Sequence, residues 1–311
     1  MSDTPAKNDT PAAAEAADTR ARAQVDALLA RPPALGSGAV TLADGRRLAY
    51  DTRAEFLPVL GTGLGDAQAG EPQAAIFTTA YTLQGAAPGE RGVCFVFNGG
   101  PGSSSVWLHL GALGPRRVRV NDDGSMPPPP YAVVDNPLTW LAHFDLVFID
   151  PPHTGWSLTA SAAARKQLLG VDGDIAALTE LIRLWLARQR RFHSPVYLAG
   201  ESYGTTRGAA IALQLFEAGI ALSGLILVSC AMDLQSIVFS PRNDLPHALF
   251  LPAFALVAQY HGLLSGPLAA SPEQARSAAE AFVQEHYLAA LHAGARLGED
   301  ARARAEKRIA E

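Results

Sequence analysis

Residues 196–204 read Val-Tyr-Leu-Ala-Gly-Glu-Ser-Tyr-Gly, and residues 205–216 continue them at helical spacing. A short apolar run, a Gly-Glu-Ser-Tyr-Gly turn and an amphipathic stretch predict strand, sharp turn and helix, with Ser202 at the tip. Glycines at 200 and 204 suit that turn, because a Cβ on either side of the serine would meet the neighbouring strand or helix. The helix behind the turn aims its free N–H groups and positive dipole end at the place where an oxyanion would form. Ser202 is therefore the candidate nucleophile. G-x-S-x-G also occurs by chance in loops; the strand before it and the helix after it give it weight here.

The sheet around that strand is legible in three further apolar runs. Residues 93–97, 146–149, 196–198 and 224–229 are continuous enough to be buried parallel strands. Between the second and third, Ile175, Leu178, Leu181, Ile182 and Trp185 share one helical face. Alternating strands and helices predict an α/β fold with a mostly parallel sheet and right-handed crossovers. Arg188, Arg190 and Arg191 follow that helix and are expected to be a solvated complement to its dipole. Upstream, residues 39–42, 47–50 and 75–83 lie between Gly- and Asp-marked turns and predict an antiparallel opening. Gly61, Gly63 and Gly65 have the wrong spacing for a nucleotide loop and are expected in a flexible loop.

Three regions follow. Residues 1–34 are rich in Ala, Asp, Thr and Pro and are expected to form a disordered tail, with at most a short amphipathic stretch at Val25, Leu28 and Leu29. Residues 35–240 form the α/β core, and residues 241–311 change to helices without strands. There Ser271, Pro272 and Gln274 make a capping-box start, and Phe282, Val283, Tyr287, Leu288 and Leu291 continue an apolar stripe. A helical insertion over the sheet is the expectation.

Composition narrows the function classes. The chain has 311 residues, 48% of them hydrophobic, enough to bury a sizeable core. Its 25 basic and 30 acidic residues form no basic stripe, so nucleic acid is not an expected partner. The most apolar stretch, residues 245–264, is interrupted by Pro246, His247, Pro252, Gln259 and His261, so no membrane span is expected. The first twenty residues lack the apolar centre of a secretory signal, and a cytoplasmic location is the expectation. Cys94 and Cys230 both sit in strand-like runs and are expected to be buried small hydrophobes. No cofactor and no metal are expected.

A second motif, Asn98-Gly99-Gly100-Pro101-Gly102-Ser103-Ser104-Ser105, comes directly after the run 93–97. Linkers seldom follow a buried strand, and strand ends are where α/β sheets bind ligands. Glycines there let main-chain N–H groups approach a substrate unobstructed. In a hydrolase of this architecture the oxyanion hole takes one N–H from the residue after the nucleophile, here Tyr203, and one from such a loop, here Gly100.

Together with Asp150-Pro151-Pro152-His153-Thr154-Gly155-Trp156-Ser157, these motifs resemble the serine carboxypeptidase family, in particular bacterial members lacking the usual cysteine after GGPG. The resemblance runs from about residue 75 to 265. It implies an α/β-hydrolase fold with a helical insertion, a peptide substrate with a free C-terminus, and release of single residues through an acyl-enzyme on Ser202. It further implies that Gly100 and Tyr203 N–H groups hold the oxyanion and that Asn98 and Glu201 recognise the substrate carboxylate. Two carboxylates so placed repel unless they share a proton, so acidic conditions should favour binding.

There are departures from the family's pattern. The glutamate usual on the helix after GGPG is Ala112 here, and the usual tryptophan two residues before the asparagine is Val96. His109 and Arg116 are candidate substitutes for that glutamate, although a histidine on a helix is more often structural. His153 is expected to be structural. Family members supply the triad Asp and His beyond the insertion. Asp233, Asp244, His247 and His261 come too soon to match and are left unassigned, so the sequence is expected to be a truncated member. Without its base such an enzyme loses about 10⁴- to 10⁶-fold in kcat. Two other readings stand beside the carboxypeptidase: an esterase or acyltransferase on the same scaffold, and a non-catalytic remnant.

Overall fold

The computed structural model describes residues 11–61, 70–87 and 89–310. The chain divides into two compact units, Met1–Ala231 and Met232–Glu311.

The first unit is built on strands β1 (Ala34–Thr41), β2 (Arg47–Leu60), β3 (Pro72–Leu83), β4 (Val93–Phe97), β5 (Arg116–Val118), β6 (Val133–Asp135), β7 (Asp145–Ile149), β8 (Leu158–Thr159), β9 (Val196–Glu201) and β10 (Gly224–Val228). The main sheet runs β1-β2-β3-β7-β4-β9-β10, with β8 on β3, while β5 and β6 make a separate hairpin. β1, β2, β3 and β7 pair antiparallel. β7, β4, β9 and β10 pair parallel. Helices in this unit are α1 (Pro11–Leu29), α2 (Val106–Leu108), α3 (Ala162–Leu168), α4 (Val171–Arg188) and α5 (Tyr203–Glu217). This is the expected α/β-hydrolase class, with an antiparallel opening and a parallel centre flanked by helices.

Every residue of β4 and β7 is buried, which is why both read as unbroken apolar runs. Successive side chains of β4 feed opposite faces. Val93, Phe95 and Phe97 join a core with Leu178, Leu181, Ile182 and Trp185 of α4, where the Trp185 ring meets Phe95 edge-on at 5.3 Å. Cys94 and Val96 join a second cluster with Tyr81, Leu141, Leu146 and Phe148.

Four expectations need correction. The run 224–229 forms the parallel strand β10 at the end of the strand order, but it is not buried: its residues alternate between half-buried and exposed. Residues 11–29 of the supposed tail are helical. Val25 of α1 is fully buried against Ala75 and Ala160, with Leu28 and Leu29 packed beside it. Arg22 pairs with Glu71 at 3.0 Å, and Asp18 accepts from the Ala162 N–H at 2.8 Å. Three apolar residues suffice because β3 and β8 offer them a surface, which local composition does not reveal. Cys94 is buried as expected, but Cys230 is exposed: β10 ends at Val228 and the chain turns at Ser229, φ 50°. Arg191 is no solvated helix terminus either; it is buried, donating to Asp145 at 2.7 Å and Ser194 at 2.6 Å. Of the three glycines expected in a loop, Gly63 and Gly65 lie outside the described residues.

The second unit is helical, with α6 (Leu245–Tyr260), α7 (Pro272–Phe282), α8 (Leu288–Ala293) and α9 (Glu299–Ala310). It begins ahead of residue 241, with a short turn over Leu234–Ser236. Ser271 caps α7 by accepting from the Gln274 N–H at 3.2 Å, and Pro272 is its first residue, as the capping box predicts. Among the described residues no helix is long and apolar enough to cross a membrane.

His109 shows how the second cluster handles a titratable group. Its ring stacks on Phe148 at 4.3 Å and its Nε2 hydrogen-bonds the Tyr81 hydroxyl at 2.7 Å. Burial pushes its pKa down from 6.5 to about 4. Between those values the unfolded chain binds a proton that the folded one refuses, so stability is present above pH 6.5 and drains away as the pH falls towards 4. That difference is worth on the order of 2–3 kcal/mol. Chemical denaturation from pH 7 to pH 4 should show wild type losing about that much more than His109→Gln; parallel profiles would contradict the burial account.

Candidate active site

The register of β4 on β9 places Phe97 opposite Gly200, so the glycine loop and the serine turn leave the sheet side by side at its C-terminal edge. Ser202 lies between β9 and α5 with φ 57° and ψ −125°. A non-glycine residue in such a conformation costs about 1–3 kcal/mol and persists only where its surroundings enforce it. Here the Ser202 N–H donates to the Val228 carbonyl at 3.0 Å, and its own carbonyl accepts from the Thr205 N–H at 2.9 Å and hydroxyl at 2.7 Å.

The flanking glycines answer to backbone contacts. A Cβ on Gly200 would collide with the Gly204 carbonyl, and one on Gly204 would lie 3.0 Å from the Phe97 carbonyl. A Cβ on Gly99 would stand 2.5 Å from the Tyr203 nitrogen and 2.6 Å from the Gly204 nitrogen. The glycine loop therefore rests main chain to main chain on the first turn of α5, whose amides have no intrahelical acceptor. Gly100 follows at φ +101°, a left-handed conformation that suits glycine.

A cavity of about 370 Å³ opens there, lined by Asn98, Gly100, Ser103, Trp107, Leu108, Glu201 and Ser202. The structure thus brings Asn98, Gly100, Glu201 and Ser202 together; Tyr203 does not line the cavity, although its nitrogen lies beside Gly99. Asn98 is itself fully buried. Its Nδ2 donates to Glu201 Oε2 at 2.9 Å and its Oδ1 accepts from the Leu108 N–H at 3.0 Å. Glu201 is the carboxylate that reaches the cavity, and Asn98 holds it. A larger hollow of about 490 Å³ in the second unit is lined by apolar side chains such as Leu251, Phe254 and Phe282. It has no nucleophile.

The substitutes considered for the absent glutamate are engaged elsewhere. His109 serves the core, and Arg116 pairs with Asp135 at 3.0 Å and donates to the Val133 carbonyl. Ala112 is exposed. His153 sits 3.5 Å from the Thr159 hydroxyl, its pKa lowered by burial and then by Arg165, in keeping with a structural role. Among the described residues no histidine hydrogen-bonds Ser202. In the second unit Asp233 caps the turn 234–236, Asp244 precedes α6, and His247 and His261 meet the rings of Phe239 and Tyr260 at 5.0 Å.

Two acids hold the site's frame: Asp150, quoted in the third motif but given no role there, and Asp174, outside all three motifs. Asp150 accepts from the Ser105 N–H at 3.0 Å and from the Trp156 N–H at 3.2 Å, binding the run 150–157 to the glycine loop. Burial raises its pKa. Gly155, φ +51°, makes room for it, since a Cβ there would collide with the Asp150 carboxylate. Asp174 of α4 accepts from Arg207 Nε of α5 at 2.6 Å, both buried. Burial pushes its carboxyl up while Arg207 works against that. The available signal was a charge on an otherwise apolar helical face, at Asp174 beside Ile175 and at Arg207 before Ile211.

A profile of the family described as serine carboxypeptidase matches residues 74–236, just over half of the chain and all of the site. The pheromone-processing carboxypeptidase KEX1 of Yarrowia lipolytica is 31% identical over 140 residues, covering 44% of this chain and 21% of that protein. The crystal structure of Kex1(delta)p, a prohormone-processing carboxypeptidase from Saccharomyces cerevisiae, is similar with a TM-score of 0.46 at 16% identity, over 75% of this chain and 53% of that one. The proline iminopeptidase of Mycobacterium smegmatis gives 0.36 at 16% identity, over 83% and 69%. The chain spans about a fifth of the length of the Yarrowia relative and about half of the Saccharomyces one.

The packing argument for the turn is open to a paired test. Gly200→Ala should destabilise the fold by about 1–3 kcal/mol through overpacking against main chain. Gly111→Ala, whose Cβ meets nothing within 4 Å, should change it by less than about 0.5 kcal/mol. Urea unfolding of the two variants checks this, and equal effects would contradict the tight-turn account.

Proposed function

The chain belongs to the serine carboxypeptidase family, and from that premise we propose that it carries the nucleophile side of a carboxypeptidase site that removes single residues from peptide C-termini. Ser202 Oγ attacks the carbonyl carbon of the last peptide bond. The C–N bond breaks as the Ser202 hydroxyl proton ends on the leaving nitrogen, the terminal amino acid departs as the amine, and the acyl group stays on Ser202 until water hydrolyses the ester and returns a proton to Oγ. Gly100 and Tyr203 N–H groups stabilise the oxyanion, each such donor being worth about 2.7–4 kcal/mol of transition-state stabilisation. The observation that supports this reading is the close approach of the glycine loop to the nucleophile helix: a Cβ on Gly99 would stand 2.5 Å from the Tyr203 nitrogen and 2.6 Å from the Gly204 nitrogen.

Specificity for a free C-terminus is proposed to rest on Glu201, steadied by Asn98. The 2.9 Å bond from Asn98 Nδ2 fixes the Glu201 carboxylate at the edge of the cavity. The exposed Ala112 favours one other reading, an esterase or acyltransferase, because the second carboxylate-reading acid of the family has no counterpart at that position.

A fluorophosphonate probe should label Ser202 and fail to label Ser202→Ala. Absence of labelling would favour a non-catalytic role. Peptides with free C-termini should be cleaved at least about tenfold faster than their amidated forms; equal rates, or preference for simple esters, would move the assignment to the esterase. Glu201→Gln should retain substantial activity and flatten the fall of kcat/KM with rising pH, because Gln donates a hydrogen bond at any pH. An unchanged profile would remove Glu201 from carboxylate recognition.

A further inference from the structure

Arg207 lies about a turn and a half beyond Ser202 on α5, and its side chain is only 2% exposed. Its Nε donates to Asp174 Oδ2 and its Nη1 to the Asn98 carbonyl, both at 2.6 Å. The guanidinium stands over the Tyr203 ring at 5.1 Å and the Phe97 ring at 5.8 Å. Replacing a buried ion pair by apolar side chains is often neutral or stabilising, so stability alone does not account for this one.

Its position does. The fork joins three segments: the first turn of α4 through Asp174, the first residue of the glycine loop through Asn98, and the nucleophile helix that bears it. Beyond Asn98 come two glycines, which have no side chains by which packing could fix them. The Asn98 carbonyl belongs to the peptide that carries the Gly99 N–H, so a donor on that oxygen sets the plane from which the loop departs. A planar guanidinium meets two acceptors at once in a fixed geometry, which a lysine cannot do.

We propose that Arg207, fixed by Asp174, is the positioning residue of the oxyanion hole: it clamps the Asn98 carbonyl to the nucleophile helix so that the Gly100 and Tyr203 N–H groups converge on one oxygen. This rests on the serine-hydrolase reading of Ser202. Arg207 touches neither substrate nor reacting atom and acts through the loop.

The test compares the full chain with Arg207→Met, Arg207→Lys and the double variant Asp174→Asn/Arg207→Met. The measurements are the rate constant for fluorophosphonate labelling of Ser202, whose phosphoryl oxygen must enter the same pair of amides, and kcat and KM on a peptide with a free C-terminus. Rates are counted per labelled site and the thermal midpoint is recorded alongside. Arg207→Met should lower the labelling rate constant and kcat by about 10- to 100-fold while KM stays within about threefold, the split expected when only the transition state is affected. Arg207→Lys should recover part of the loss. The double variant leaves no buried charge unpaired, so its midpoint should rise above that of Arg207→Met while its rates stay low. Rates per site equal to wild type, or rates that recover with stability in the double variant, would reduce the pair to a structural role and overturn the inference. If Arg207→Met does not fold, the other two variants carry the comparison. Wild-type protein that neither labels nor hydrolyses peptide would reject the serine-hydrolase reading, and this inference with it.

Discussion

Ser202 holds a backbone conformation, φ 57° and ψ −125°, that an L side chain enters only under constraint, and the site is arranged around what keeps it there. The constraint comes from both neighbouring strands. β10 supplies the Val228 carbonyl that takes the Ser202 N–H, and β4 supplies the loop whose Gly99 lies against the next two amides. Parallel pairing is what makes both possible, because parallel neighbours end at the same edge of the sheet. Glycine at 99 and 200 then lets main chains approach more closely than any Cβ would allow, and at 204 a Cβ would be left only 3.0 Å from the Phe97 carbonyl.

The sequence shows the fold where chemistry is written locally. The runs at 93–97, 146–149 and 196–198 are legible because strands buried on both faces must be apolar throughout, and β4, β7 and β9 lie where those runs place them. The serine turn and the glycine loop are legible because their conformations demand glycine. What escaped depends on partners distant in sequence. Three apolar residues of α1 look insufficient until β3 and β8 are seen beneath them. Arg191 looks like a solvated helix end until Asp145 is found beside it, and His109 looks like a surface histidine until Phe148 and Tyr81 enclose it. Arg207 and Asp174 are far apart in the chain, and only the packing of α4 on α5 makes them one group.

A hydrogen-bonded carboxylate marks each end of β7, Asp145 buried and Asp150 half-buried. Asp145 opens β7 and is bracketed by Arg91 at 2.9 Å and Arg191 at 2.7 Å, while its Oδ1 also accepts from the Leu83 N–H. Asp150 directly follows the same strand and ties the run 150–157 to the glycine loop. The first group ties strand ends on the side away from the site, and the second fixes loops on the side that carries it. Polar groups taken out of water need near-complete hydrogen bonding, so each cluster favours a single arrangement of the segments it joins. A serine hydrolase needs such order, since oxyanion donors act only when they already point at the place where charge develops.

The most direct measurement of the central claim is a crystal structure of Ser202 carrying a covalent phosphonyl group. The phosphonyl oxygen should lie about 2.7–3.1 Å from both the Gly100 and the Tyr203 nitrogens. An adduct whose oxygen turns to solvent, with neither nitrogen in hydrogen-bonding reach, would contradict the account.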